Sequence, residues 1–134
     1  MDQADREELA RRSIEAWNAD DWEEGLAAIW SRDGLIVSPQ GWPEAGEFKG
    51  LPAMVEQWRR IKDSWEEEHV ELLAVESVGL RVLASVRWVM RGETSGAPLD
   101  VPAWMLFSFK GGRISRIEYF LDESGARAAV EEVR

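Results

Sequence analysis

Residues 104–122 constrain the fold more than any other part of the chain. They read WMLFSFKGGRISRIEYFLD, so two segments rich in aromatic and branched residues flank the pair Gly111-Gly112. Glycines supply the positive φ angles that a tight hairpin turn requires. The pattern therefore predicts two long antiparallel strands, at residues 99–110 and 113–121, joined by this turn.

The first half of the chain has a helical pattern instead. Apolar residues recur every three or four positions in residues 6–18, in residues 22–30 (a stretch that stops near Gly34) and in residues 51–65, where Pro52 suits a first turn. Three amphipathic helices are predicted. The apolar run at 35–37 predicts an edge strand, and the Gly- and Pro-rich residues 40–50 predict a loop. Asp122 is expected to cap a final short helix that ends near Val130.

After the third helix the pattern changes to a period of two. Val70, Leu72 and Ala74 alternate with polar residues, a turn is expected at 78–79, and residues 80–91 read as a long strand followed by a loop at 92–98. The element order ααβαβββ plus a terminal helix indicates one α+β domain over residues 1–134. We expect its three helices to pack on a strongly curved antiparallel sheet and to leave a cone-shaped cavity.

Composition excludes several classes of function. The net charge of −10 argues against binding to nucleic acid or to an anionic membrane, because such affinity comes from Lys and Arg. The acidic runs, including residues 66–68, are expected to be solvated faces or first turns of helices, where carboxylates suit the helix dipole. With no cysteine, and with His69 as a lone histidine expected at a solvated strand end, no metal site or cofactor is predicted. The acidic N-terminus and the lack of a long apolar run indicate a cytoplasmic protein.

Several short strings, in this order and spacing, carry a resemblance to a known family. They are the acidic break at residues 18–22, Val-Ser-Pro at 37–39, Phe-Lys-Gly-Leu at 48–51, the segment 91–96, and Gly-Gly-Arg-Ile at 111–114 followed by Glu118-Tyr119-Phe120 and Asp122. The chain thereby resembles the nuclear transport factor 2-like superfamily, more narrowly its SnoaL-like branch. That resemblance implies a cone-shaped α+β barrel. The superfamily includes isomerases, polyketide cyclases, epoxide hydrolases, dehydratases and non-catalytic binding modules, so it does not imply one activity.

At most catalytic positions of these relatives the chain lacks the expected acid or tyrosine. The resemblance leaves Glu118 as the retained carboxylate, aligned with the last member of the epoxide hydrolase set. The altered positions are Ser38, Ser13 and Ala103 or Met105 of the ketosteroid isomerase-like pattern, and Val86 and Trp88 of the limonene-epoxide-hydrolase-like pattern.

If Glu118 faces inward, strand alternation places Arg116 and Phe120 on the same face as Glu118. The sequence thus predicts Glu118 as a proton-transfer or water-orienting group with Arg116 as its partner, or else a plain ion pair on a strand face. The predicted substrate-binding wall, which equally fits ordinary core, comprises Trp17, Val86, Trp88, Met90, Met105, Phe107 and Phe120.

The predicted ligand is a hydrophobic small molecule, and two functions of the chain remain open. The chain is either a cofactor-independent isomerase, cyclase or hydrolase that uses Glu118, or a non-catalytic ligand-binding or dimeric interaction module. Trp42 and Phe48 lie in the predicted loop at 40–50, which either closes over the cavity as a lid or is pinned down by them. A homodimer through the outer sheet face is also predicted, with an interface formed by Trp104, Leu106, Ile117, Tyr119 and Leu121.

Overall fold

A computed structural model of the chain describes residues 1–39, 41, 45–92 and 98–131. Within these ranges the chain forms four helices and six strands. In order they are α1 (Gln3–Asn18), α2 (Trp22–Ile29), β1 (Trp30–Ser38), β2 (Gly46–Lys49), α3 (Leu51–Asp63), β3 (Glu67–Val78), β4 (Arg81–Arg91), β5 (Pro98–Lys110), β6 (Arg113–Phe120) and α4 (Glu123–Glu131).

Local signals in the sequence account for the helix starts. Asp2 caps α1, because its carboxylate accepts a 2.8 Å hydrogen bond from the backbone N–H of Asp5. Pro52 lies in the first turn of α3, where it costs no hydrogen bond. Asp122 accepts a 2.6 Å hydrogen bond from the backbone N–H of Gly125, and this bond lowers the pKa of its carboxyl. The predicted cap of the terminal helix is therefore confirmed.

The six strands form one curved sheet in the order β2-β1-β6-β5-β4-β3. The β5–β6 hairpin turns at Gly111 and Gly112, which both have positive φ angles of 58° and 78°, so the predicted hairpin is confirmed. The sheet is mixed rather than wholly antiparallel, since β1 runs parallel to β6. No hairpin joins these two strands, so the connection leaves their relative direction free. The predicted α+β architecture, with helices packed on a curved sheet, is confirmed.

Two boundaries near β1 differ from the prediction. Trp30 begins β1 instead of ending α2. The apolar pattern could not distinguish the two positions, because a buried tryptophan fits the end of the helix and the start of the strand equally well. Gly34 leaves room for it, since a Cβ atom there would approach Cε3 of Trp30 to 2.7 Å. Phe48 lies in β2 and pairs with Ile36 of β1, so residues 46–49 are not loop. Trp42 lies outside the described residues, and the lid stays a prediction.

A β-bulge in β6 reverses the face predicted for its second half. Ile114 pairs with Phe109 and Arg116 pairs with Ser108, which leaves Ser115 without a partner on β5. The extra residue shifts the alternation by one position, so every later side chain changes face. Ile114 and Ile117 both lie in the core beneath the helices. Arg116, Glu118 and Phe120 consequently lie on the outer face, and the predicted inward orientation of these three is wrong.

Helix α4 covers part of the outer face. Leu83 and Leu106 are 3% and 1% exposed and pack with Ala126 and Ala129 of the helix. The prediction that Leu106 contacts a partner chain is therefore wrong, because the helix covers this residue. It is also wrong for two other predicted interface residues, Ile117 and Tyr119, because the bulge turns them towards the inner core. The homodimer itself stays a prediction, and Trp104, partly exposed, and Leu121, 37% exposed, are the predicted contacts left at the surface.

Among the described residues, no helix combines the length and the apolar character needed to cross a bilayer.

Candidate ligand-binding site

A cavity of about 50 Å³ lies between the three N-terminal helices and the concave face of the sheet. Its wall is mainly aromatic and aliphatic. The lining residues are Ser13, Ile14 and Trp17 of α1, Leu26 of α2, Trp30 of β1, Trp58 and Ile61 of α3, Val70 of β3, Val86 and Trp88 of β4, Met105 of β5, and Ile117 and Tyr119 of β6.

The structure places four of the predicted wall residues at the cavity, namely Trp17, Val86, Trp88 and Met105. Met90 and Phe107 are buried in the same inner core but do not line the cavity. Phe120 packs on the outer cluster with α4 and was assigned to the wrong face. The aromatic lining residues missed by the sequence reasoning are Trp30, Trp58 and Tyr119.

Arg116 and Glu118 lie away from the cavity, in an open groove on the outer face that Arg81 and Val130 also line. The Arg116 guanidinium contacts the Glu118 carboxylate at 2.9 Å. This geometry matches the plain ion pair on a strand face that the sequence had left open. His69 is exposed on β3, as predicted. Among the described residues, no group of three or more His, Cys, Asp or Glu side chains is arranged to hold a metal ion.

A different carboxylate lies behind the cavity wall. The side chain of Glu68 is 2% exposed, so the prediction that residues 66–68 are all solvated is wrong at this position. Its Oε2 atom accepts hydrogen bonds from Nε1 of Trp17 at 2.5 Å and from Nε1 of Trp88 at 2.6 Å. β3 begins at Glu67, so Glu68 points inward in phase with Val70. Glu68 therefore fixes the orientation of two indoles that line the cavity.

Lys62 of α3 completes this polar cluster. Its ammonium group lies 3.0 Å from Oε1 of Glu68 and donates a 2.5 Å hydrogen bond to the backbone carbonyl of Trp17. It also lies 4.0 Å from the centroid of the Trp17 ring, which is a cation–π geometry. A buried carboxylate requires such partners, because an unpaired charge in the interior is strongly unfavourable. The cluster of Glu68, Lys62, Trp17 and Trp88 joins α1, α3, β3 and β4.

The C-terminal end of α1 is held against the edge strand β3. The Asn18 amide donates a 2.7 Å hydrogen bond to the carbonyl of Val70 and accepts a 2.9 Å bond from its N–H. A side-chain amide thereby imitates a neighbouring strand at a sheet edge, where backbone groups would otherwise lack partners. This pair of bonds sets the position of Trp17 relative to Glu68.

Tyr119 is the lining residue that carries a phenol. Burial raises the pKa of its hydroxyl, and the negative charge of Glu68 raises it further. The phenol is therefore protonated at neutral pH and can donate a hydrogen bond. Trp30 and Trp58 lie nearby on the lining, with ring centroids 5.7 Å apart in an edge-to-face contact. The arrangement suits a small ligand that contacts aromatic rings.

Comparison with protein families identifies the chain. The family model of the SnoaL-like domain matches residues 10–117 of the chain. The chain belongs to the SnoaL-like family. The predicted resemblance to this branch of the nuclear transport factor 2-like superfamily is thereby confirmed. No curated protein matches the sequence.

Solved structures agree on the fold of this SnoaL-like protein. Bal32a, from a soil-derived mobile gene cassette, superposes with a TM-score of 0.81 at 24% identity over 96% of this chain and 98% of that chain. An NTF2-like protein of unknown function from Burkholderia pseudomallei K96243 gives 0.78 at 17% identity over 96% and 98%. TerC, co-crystallised with polyporic acid, gives 0.77 at 16% identity over 96% and 99%. At such identities the likeness concerns the fold alone.

Proposed function

We propose that this SnoaL-like protein binds a small, largely apolar molecule in the cavity between its helices and its sheet. The observation that carries the proposal is the lined cavity itself, in which aromatic and aliphatic side chains from every helix but α4 converge with those of the sheet. Small-molecule sites are typically concave, apolar and furnished with a few polar groups that set orientation. Tyr119 and Ser13 supply such groups here.

The rigidity of the wall supports this proposal. Trp17 and Trp88 are held by hydrogen bonds to Glu68, and Trp17 is held also by Lys62. A site whose side chains are already ordered loses less entropy when a ligand binds. The neighbour TerC, which has this fold, was co-crystallised with polyporic acid.

Filling the cavity is expected to abolish binding. Val86→Phe places a larger side chain in the lining, so we expect the dissociation constant for xenon, a small apolar probe, to rise at least about tenfold, measured by NMR. Val89→Phe is the matched control, because Val89 lies on the opposite face of the same strand and is partly exposed. Thermal denaturation checks that both variants fold. Equal xenon binding by wild type and Val86→Phe would contradict the proposal.

A catalytic function is a second candidate, and the protonated phenol of Tyr119 favours it. A buried donor that lines an apolar site can stabilise negative charge that develops on a substrate oxygen. The chain would then be a cofactor-independent isomerase, cyclase or hydrolase, as the family resemblance implies. Glu118 has no part in this version, since it faces the outer groove.

Tyr119→Phe tests the catalytic candidate. For a substrate that turns over, we expect kcat to fall about a hundredfold while KM changes only a few-fold, because one oxyanion donor is lost. Glu118→Gln is the control and should leave both constants unchanged. If Tyr119→Phe leaves kcat intact, the phenol has no catalytic part and this catalytic candidate is wrong.

A further inference from the structure

Aromatic residues make up a large share of the cavity wall: Trp17, Trp30, Trp58, Trp88 and Tyr119 all line it. We infer that the ligand of this cavity carries a small organic cation, of the methylated ammonium type. The inference rests on the proposed binding function and names the chemical class of its ligand. It does not depend on whether the site is catalytic.

Cation–π attraction is the first reason. The faces of Trp and Tyr rings are negative, and they attract an ammonium group within about 6 Å, most strongly where water is excluded. Groups of such rings are a recurrent site for quaternary ammonium ions. A neutral apolar ligand needs only hydrophobic surface, which Leu, Val and Ile supply without the large share of indoles found here.

The buried carboxylate is the second reason. Trp17 and Trp88 donate their indole N–H groups to the same oxygen of Glu68. A hydrogen bond to an anion in a low-dielectric interior polarises the donor, so electron density shifts towards the ring faces. Both indoles are therefore better partners for a cation than isolated tryptophans. Glu68 also places a carboxylate, paired with Lys62, directly behind the wall.

Lys62 provides one argument for a cationic ligand and one argument against it. Its ammonium group lies 4.0 Å from the centroid of the Trp17 ring, which shows that this aromatic cluster already holds one cation. Its charge also partly neutralises Glu68. The Lys62 side chain is 19% exposed and that of Glu68 is 2% exposed, so water screens the lysine more strongly. The raised pKa of Tyr119, caused in part by Glu68, is consistent with a negative field at the cavity wall.

A matched pair of probes tests the inference. Methylammonium and its neutral analogue ethane have nearly the same shape, and both are small enough for a cavity of about 50 Å³. We expect methylammonium to bind at least about tenfold more tightly when both are titrated by ligand-observed NMR. Equal binding, or tighter binding of the neutral analogue, would overturn the inference and leave the proposed function intact. If xenon binds but neither analogue does, the inference also fails. Failure of all three probes would overturn the proposed function itself.

Lys62→Met gives a second, independent test. Removing the competing ammonium is expected to tighten methylammonium binding several-fold and to leave the binding of the neutral analogue unchanged. A lysine that served only to support the wall would instead weaken both probes together, and that result would overturn the electrostatic argument. Lys49→Met is the control, because Lys49 is exposed and donates a hydrogen bond to the carbonyl of Asp33. The far-UV circular dichroism of both variants checks that the fold is retained.

Discussion

Replacing Glu68 by leucine is expected to lower the free energy of unfolding by about 3 kcal/mol. The substitution removes a carboxylate whose side chain is 2% exposed and leaves three donors without their acceptor. These donors are the indole N–H groups of Trp17 and Trp88 and the ammonium of Lys62. Each unpaired buried donor costs about 1–3 kcal/mol, and Lys62 recovers part of its loss by turning to water. Urea denaturation followed by circular dichroism measures the change.

Glu67→Leu is the matched control for this prediction. Glu67 is adjacent in β3 but points outward, where its carboxylate pairs with Arg91 at 2.6 Å in a solvent-exposed contact. Exposed ion pairs contribute about 0–1 kcal/mol, so the control should be close to wild type. Glu68→Gln should lie between the two, because an amide oxygen still accepts an indole N–H. If Glu68→Leu were as stable as Glu67→Leu, the polar cluster would not hold the helices on the sheet.

The fold could be predicted from the sequence because the strongest structural signals in the sequence are local. The turn at Gly111 and Gly112 needs positive φ angles, and Pro52 and Asp122 mark helix starts by their own chemistry. Such signals act within a few residues and do not depend on what packs against them. The assignment to the SnoaL-like family follows from the same ordered elements.

The predicted site failed at the one position where a local pattern does not determine the face. Alternation along β6 is a sound rule, but a single unpaired residue, Ser115, reverses it for all positions beyond. Glu118 thereby moved from the predicted cavity to the outer groove, and Tyr119 moved from the predicted interface to the cavity. No feature of the segment Ile114 to Ile117 marks the bulge, because it arises from pairing with two neighbouring strands.

The inward orientation of Glu68, by contrast, could have been predicted from the sequence. It lies two residues before Val70 and four before Leu72, which the alternating pattern already placed on one face. Extending that period backwards puts Glu68 inside. The run of three glutamates concealed it, because acidic runs are usually solvated. The position of a carboxylate in the alternating pattern of an apolar strand face predicts its burial better than the net charge of the residues around it does.

Removing α4 is expected to have the second large effect. A chain that ends at Asp122 exposes Leu83 and Leu106, which are 3% and 1% exposed beneath the helix. Fully burying such a side chain contributes about 1.5–3 kcal/mol, so the two together account for roughly 3–6 kcal/mol. Because total stabilities are typically about 5–15 kcal/mol, much of the stability should be lost in urea denaturation. The exposed patch should also promote self-association in sedimentation.

Arg127→Ala provides the control, since it keeps α4 but removes the exposed ion pair with Glu76. Its stability and sedimentation should match those of the full chain. A truncated chain that stayed as stable as the full one, and sedimented as the same species, would show that α4 does not protect the outer face. Helix α4 occupies part of the face through which a homodimer is predicted. A dimer of the full chain must therefore use the surface beside the helix, near Trp104, whereas association of the truncated chain would proceed through Leu83 and Leu106.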